Sequence, residues 1–208
     1  MYENAVLKIS HIERSTNLLG PCDRFVIWVH GCCFDCDGCL AENTKNGSYH
    51  ELSVERLARI VLESGCEGIT ISGGEPFLQA SALLCLIQAI RQERDVGVIV
   101  YSGFTLEELR ANKAKAPLLS VIDVLIDGRY VKELDVGRPY IGSSNQRIHY
   151  LSPRYVEIGP SYYVLTGKRR AEIKFTNDQV VLIGVPSKNV LRIWEDVKEK
   201  SGGTDYGF

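Results

Sequence analysis

Three features of this sequence predict an α/β fold built on a parallel sheet. Strand and helix candidates alternate through the middle of the chain, turn residues close each strand candidate, and the length suits one full core. Such alternation is what successive strand–helix units of a parallel sheet produce. The 208 residues make one domain, and a globule of that size buries roughly 70% of the surface its unfolded chain exposes. The 45% hydrophobic and 24% charged fractions are those of an ordinary globular protein.

The elements follow in order. Arg24-Phe25-Val26-Ile27-Trp28-Val29 is β-branched and aromatic, and it runs directly into a cysteine-rich loop. Ser53 caps a helix with early acids that continues through Leu57, Ile60, Val61 and Leu62. Gly68-Ile69-Thr70-Ile71 is a short buried strand, ended by Ser72-Gly73-Gly74. Leu83, Leu84, Ile87 and Ile90 share helical spacing within 81–93. The strand at 96–101 stops at Ser102-Gly103. Thr105 and Glu108 then form a capping box, and Pro117 is expected to end that helix. Val121–Ile126 is the next strand, stopped by Asp127-Gly128. Residues just past the strands of a parallel array gather at one end, where sites form. The cysteine loop, Ser72-Gly73-Gly74 and Asp127-Gly128 occupy such positions.

From about Pro153 the pattern changes. Short strands are expected at Tyr162–Leu165, Ala171–Phe175 and Val180–Gly184, with an Asn177-Asp178 turn and a final helix marked by Val190, Ile193, Trp194 and Val197. The tail 203–208 reads as disordered. Residues 1–152 are therefore taken as the main unit, and 153–208 as an appended element packed on the same core.

Composition narrows the function. Lys+Arg 24 against Asp+Glu 26 leaves a formal charge of -2, which argues against nucleic acid or an acidic membrane as partner. The first residues carry an early acid and no sustained apolar run, unlike a signal peptide. Apolar stretches fall far short of the ~18–20 residues of a membrane span. A cytoplasmic, reducing setting is expected, in which seven cysteines point to metal or redox chemistry rather than disulfides.

Two motifs carry the chemistry. The loop His30-Gly31-Cys32-Cys33-Phe34-Asp35-Cys36-Asp37-Gly38-Cys39 contains two registers, Cys32/Cys36/Cys39 and Cys33/Cys36/Cys39. Closely spaced thiolates on one loop can wrap one face of an iron–sulfur cluster. Zinc with His30 as fourth ligand is a second reading, and a loop that binds nothing is a third. The turn Ser72-Gly73-Gly74-Glu75-Pro76 has paired glycines that permit close backbone approach to a ligand, and a carboxylate able to accept from an ammonium group. Cys66 and Cys85 read as core thiols.

With both motifs in place, the chain resembles the radical S-adenosylmethionine (SAM) superfamily. Gly20-Pro21-x-x-Arg24, Tyr101-Ser102-Gly103-Phe104-Thr105, Asp123–Gly128 and Gly142-Ser143-Ser144-Asn145-Gln146-Arg147 are similar to the activating proteins of anaerobic ribonucleotide reductase, a group of glycyl-radical-enzyme activating enzymes. The resemblance covers about residues 5–150 and selects Cys32, Cys36 and Cys39. It implies a partial (β/α) barrel of the radical SAM type with a small appended C-terminal β-hairpin and helix. It implies a 4Fe–4S cluster held by those three cysteines, whose open iron chelates SAM, so that one electron releases methionine and a 5′-deoxyadenosyl radical. Gly73, Gly74 and Glu75 would meet the SAM amino group, Gly38 would lie near the adenine, and Ser102, Asp127 and Arg129 would line the far side. The implied partners are a larger glycyl-radical protein and an electron donor such as flavodoxin or ferredoxin. Cys22 stands where the group has a third glycine, and Leu40-Ala41 where it has an aromatic and an asparagine. A peptide or small-metabolite target, or a non-enzymatic iron–sulfur or zinc module, are the competing functions. The roles of Asn145, Arg147, Cys22 and Cys33 stay open.

Overall fold

A computed structural model describes residues 5–135, 137–158, 169–175, 180–201 and 204–206. The first part of the chain gives β1 (Val6–Thr16), β2 (Arg24–Val29), the short helix α1 (Asn43–Asn46), β3 (His50–Ser53), α2 (Val54–Ser64) and β4 (Gly68–Gly73). Next come α3 (Ala80–Glu93), β5 (Gly97–Ser102), α4 (Leu106–Ala111), α5 (Ala116–Leu119), β6 (Val124–Asp127) and β7 (Arg147–Tyr150). The last part holds β8 (Ala171–Phe175), β9 (Val180–Gly184), the helix α6 (Lys188–Ser201) and β10 (Thr204–Tyr206).

Seven strands form one sheet in the order β3-β1-β2-β4-β5-β6-β7. The middle four, β2, β4, β5 and β6, are parallel. These strands are buried along almost their whole length, which is why they read as continuous apolar runs. The flanking strands β1, β3 and β7 pair antiparallel.

Strand alternation divides the core. Phe25, Ile27, Val29, Ile69, Ile71, Val98, Val100 and Leu125 point to the face covered by Leu57 and Val61 of α2, Leu83, Ile87 and Ile90 of α3, and Leu106 and Leu109 of α4. On the opposite face, Val26 and Trp28 pack on Leu18, Leu19 and Val181 and Ile183 of β9. Further along that face, Ile99, Tyr101, Val124 and Ile126 pack on Tyr140, Ile141 and Tyr155. At the amino end of the parallel strands, Arg24 is fully buried and donates to Thr70 Oγ1 (3.1 Å), Tyr155 Oη (2.6 Å), the Gly97 carbonyl (3.1 Å) and the Ile69 carbonyl. Glycines at 68 and 97 leave it room: a Cβ on Gly68 would sit 2.3 Å from Arg24 Nη1, and one on Gly97 1.9 Å from Tyr155 Oη. That end of the sheet is filled.

Local signals set the helix ends. Ser53 Oγ accepts from the Arg56 amide and Gly65 closes α2 with φ +70°, while Thr105 and Glu108 form the expected capping box. Pro117 behaves differently from expectation. The α4 helix already ends at Ala111, and Pro117 sits in the first turn of α5, where its missing N–H costs nothing. Strands β1, β3 and β7 have no counterpart in the predicted elements.

The C-terminal residues form a three-stranded sheet in the order β10-β9-β8. It contains the expected hairpin, since β8 and β9 pair antiparallel, and the expected helix. Trp194 of α6 is fully buried with Val180 and Leu182. The disorder expected for the tail does not hold at Thr204–Tyr206, which pair parallel to β9 and reach α1. The strand predicted at 162–165 and the turn at 177–178 lie outside the described residues.

Candidate functional site

The four parallel strands end on the same side, at Val29, Gly73, Ser102 and Asp127. An open cavity lies there. Cys32, Cys36 and Cys39 line it together with Phe34 and Lys45. Ser72, Gly73, Gly74 and Glu75 form its floor, and Tyr101, Ser102 and Gly103 continue from β5. Gly128, Arg129, Tyr130 and Gln146 close the far side. The structure thus brings together eight of the ten sequence-predicted positions. Gly38 and Asp127 lie outside the lining.

The floor is joined to the cysteine loop by backbone. The Gly74 amide donates to the Val29 carbonyl and the Glu75 amide to the Gly31 carbonyl, both at 2.8 Å. A Cβ on Gly74 would sit 2.0 Å from the Gly31 oxygen, and one on Gly73, at φ +102°, 2.6 Å from the Val29 nitrogen and oxygen. The paired glycines therefore serve close approach to the neighbouring chain segment as well as the open floor.

Glu75 faces inward. Only 1% of it is exposed. Its Oε1 accepts from the Phe77 amide (3.0 Å) and from Ser102 Oγ (2.9 Å), and its Oε2 accepts from the Gly103 amide (2.8 Å). Burial pushes this carboxyl up to about 7, against the opposing pull of those donors. Glu75 and Ser102 thus fasten the floor to the turn after β5.

The cysteine loop is held at its middle by Phe34. Its ring lies where a Cβ on Gly103 would fall 2.5 Å away, meets Phe104 edge-on at 4.8 Å, and carries the Arg129 guanidinium at 4.4 Å. The Phe34 amide approaches Cys32 Sγ at 3.4 Å. Gly38 adopts φ +69°, a left-handed turn between Cys36 and Cys39 that favours glycine. Burial pushes the Cys32 thiol up to about 11 and raises that of Cys39. A metal bound here must displace those protons.

The donor set distinguishes the metal readings. Among the described residues, no three His, Cys, Asp or Glu side chains are grouped as a single ion requires. His30 stands outside the cavity lining, stacked on Tyr49 at 4.4 Å with Nδ1 3.2 Å from Ser10 Oγ. Three thiols on one wall, with the lining carboxylate Glu75 already bonded, fit a cluster that takes one cysteine per iron and leaves one iron open. They do not fit a zinc site completed by His30. Cys33 is exposed and outside the lining, while Cys66 is buried with its Sγ donating to the Arg14 carbonyl at 2.6 Å.

Asp127 is fully buried and occupied. It accepts from the Leu106 amide (Oδ2, 2.6 Å) and from Arg147 through Nε to Oδ1 (3.1 Å) and Nη2 to Oδ2 (2.7 Å). Arg147 also grips Glu107 with two bonds. Phe34, Tyr101, Tyr130, Lys45 and Gln146 line the cavity without having been predicted. Phe34, Tyr101 and Gln146 lie inside motifs already singled out, whereas nothing local marks Lys45.

Cys22 has φ +64°, a region costly for a residue with a Cβ. Such a conformation suits the glycine that the resemblance implies at this position.

Comparisons with known proteins give a family and named relatives. The family described as a 4Fe-4S single cluster domain matches residues 18–149. The anaerobic ribonucleoside-triphosphate reductase-activating protein of Vibrio cholerae is 35% identical over 140 residues, which are 62% of this chain and 89% of that protein. The protein of the same name from Escherichia coli K12 is 32% identical over 151 residues, 64% of this chain and 91% of the relative. The one from Enterobacteria phage T4 is 31% identical over 138 residues, 62% and 85% respectively.

Proposed function

The chain belongs to the 4Fe-4S single cluster family that includes the anaerobic ribonucleoside-triphosphate reductase-activating proteins, and from that premise we propose that it cleaves SAM reductively to place a glycyl radical on a larger partner enzyme. The observation that carries the reading is that Cys32, Cys36 and Cys39 line one cavity with the Ser72–Glu75 floor and Arg129. We read the sheet as the partial barrel of radical SAM enzymes, with residues 1–152 as the catalytic unit and 153–208 as an appended element.

When bound, the cluster and SAM supply one-electron cleavage of the sulfonium to methionine and a 5′-deoxyadenosyl radical, which takes hydrogen from a glycine Cα and leaves as 5′-deoxyadenosine. The chain's residues supply the rest. Cys32, Cys36 and Cys39 would hold the cluster as thiolates. Gly73 and Gly74 keep side chains off the floor, where the SAM amino group would rest. Glu75 and Ser102 hold that floor in place through the bonds described above. Arg129, exposed at the rim, would meet the SAM carboxylate, and Phe34 fixes the middle of the loop that carries the thiols. The open cavity leaves a protein partner to complete the enclosure.

The test is anaerobic loading with iron and sulfide, followed by SAM, a flavodoxin- or ferredoxin-type donor and an anaerobic ribonucleotide reductase. We expect about four irons per chain, 5′-deoxyadenosine formation and a glycyl-radical resonance on the reductase. A Cys36→Ala variant should lose all three. Loading without SAM cleavage would leave an electron-transfer module. SAM cleavage coupled to a modified peptide, without a protein radical, would favour the second reading. That reading has one observation behind it: the family match ends at residue 149, and an ordered sheet and helix follow it.

A further inference from the structure

Strand pairing between β6 and β7 ends at Asp127 and Arg147, yet the contacts continue past it in the same order. Arg147 grips Asp127 at 2.7 and 3.1 Å. Gln146 Nε2 donates to the Gly128 carbonyl at 2.8 Å. Asn145 Nδ2 donates to the Arg129 carbonyl, also at 2.8 Å. Three successive residues on one segment therefore hold three successive residues on the other. Side chains carry on where the backbone ladder stops.

We propose that Asn145, Gln146 and Arg147 form a clasp that aims Arg129 into the cavity, making them positioning residues for the SAM carboxylate. The inference rests on the functional reading above. Gly128, at φ +102°, turns the chain sharply away from β6, so no strand partner fixes the direction of the next residue. The clasp replaces that partner. Its own members are fixed in turn: Gln146 Oε1 accepts from the Gly142 amide (2.7 Å) and the Ser143 amide (3.3 Å), and Arg147 is anchored on its outer side by Glu107. Ser143 Oγ accepts from the Val131 amide at 3.0 Å and secures the chain beyond Arg129. With its carbonyl held by Asn145, Arg129 lays its guanidinium over Phe34 at the cavity rim.

Asn145 is the sharpest probe, because it is exposed, lies outside the cavity lining and touches Arg129 through the backbone. SAM affinity of the cluster-loaded chain is measured for wild type, Asn145→Ala, Arg129→Ala and the double variant. Each single substitution should weaken binding by on the order of tenfold, as misplacement of a binding group does. The double variant should bind no more weakly than Arg129→Ala alone, since the clasp acts through that residue. Additive losses, or unchanged affinity in Asn145→Ala, would overturn the proposal. Iron content should stay at the wild-type level in all four. A parallel measurement uses the chain without cluster or SAM. Amide hydrogen exchange at 128–131 should quicken in Asn145→Ala and in Arg147→Lys, while the Gly31 amide stays protected. Unchanged exchange at 128–131 would also overturn it. Loaded wild type that binds no SAM would instead count against the functional reading, with the exchange experiment still deciding whether the clasp holds this segment.

Discussion

The cysteine loop and the segment after β6 face each other across one cavity, and they are held by different means. Within the loop, the Cys39 amide reaches the Cys36 carbonyl at 3.3 Å, and two ion pairs, Lys45–Asp35 and Lys132–Asp37, use aspartates that project into solvent. Exposed pairs of this kind contribute little. Phe34, half-buried, wedges the loop's middle against Gly103 and Phe104, while backbone bonds at Gly31 hold only its start. The opposite wall rests on the buried carboxylate of Asp127 and on two side-chain amides that cap successive carbonyls. One wall is pre-organised by hydrogen bonds, and the other carries thiols whose final arrangement suits being set by the metal they bind. A site of this design gains rigidity on loading, mostly on the side of the cysteines.

The largest expected effect tests how far the floor and the cysteine loop act as one body. In Gly74→Ala, the new methyl group would meet the Gly31 oxygen at 2.0 Å, and neither backbone can yield without moving the start of the cysteine loop. We expect a loss of about 3 kcal/mol or more in denaturant unfolding, together with a drop in iron loaded per chain. Normal loading in a destabilised variant would separate floor from loop and break the comparison.

A smaller effect concerns Glu75. Its folded-state pKa of about 7 lies above the ordinary carboxyl value of 4.5, so the folded chain binds the proton more tightly than the unfolded chain. The stability contributed by this carboxyl is therefore fullest below about pH 4.5 and should fall as pH rises through 7, by about 2 kcal/mol between pH 5 and pH 7.5. Chemical denaturation of the unloaded chain at a series of pH values reads this directly. Glu75→Gln should flatten the slope, and an unchanged slope in that variant would assign the titration elsewhere.

The smallest effect lies outside both walls. Cys22→Gly relieves a left-handed residue and should stabilise the chain by about 1 kcal/mol, a rise in melting temperature of about 2–4 °C for a chain of this size. Iron loading should not change, because Cys22 lies outside the cavity lining. Reduced loading would bring Cys22 into the site after all.

Much of this molecule could be read from local pattern. The parallel strands at 24–29 and 68–73, the caps of α2 and α4, and the strands at 171–175 and 180–184 follow from apolar runs and turn residues that sit next to them in sequence. The edge strands β3 and β7 escaped because four-residue strands, largely exposed in β3 and mostly half-buried in β7, carry little hydrophobic pattern. The long strand β1 escaped because its exposed and half-buried positions interrupt the alternation after Ile9. At the site, the cysteine spacing and the paired glycines announced themselves. The pattern around Glu75 and Asp127 did not show which protein donors each carboxylate would also meet: Ser102, Phe77 and Gly103 for Glu75, and Leu106 and Arg147 for Asp127.

The sequence by itself determined which residues bring thiols, glycines and an arginine to the carboxyl ends of the parallel strands, because strand propensity, turn chemistry and the Cys32/Cys36/Cys39 spacing are short-range properties. Only the tertiary structure decided what each polar group is bonded to. Glu75 finds Ser102 and Gly103 across 27 and 28 positions of sequence, and Asp127 finds Arg147 across 20. Such partners are chosen by strand order and loop course, and a buried carboxylate takes whichever donors the fold brings to it, because leaving it unpaired in a low-dielectric interior costs more than any single contact with a ligand returns.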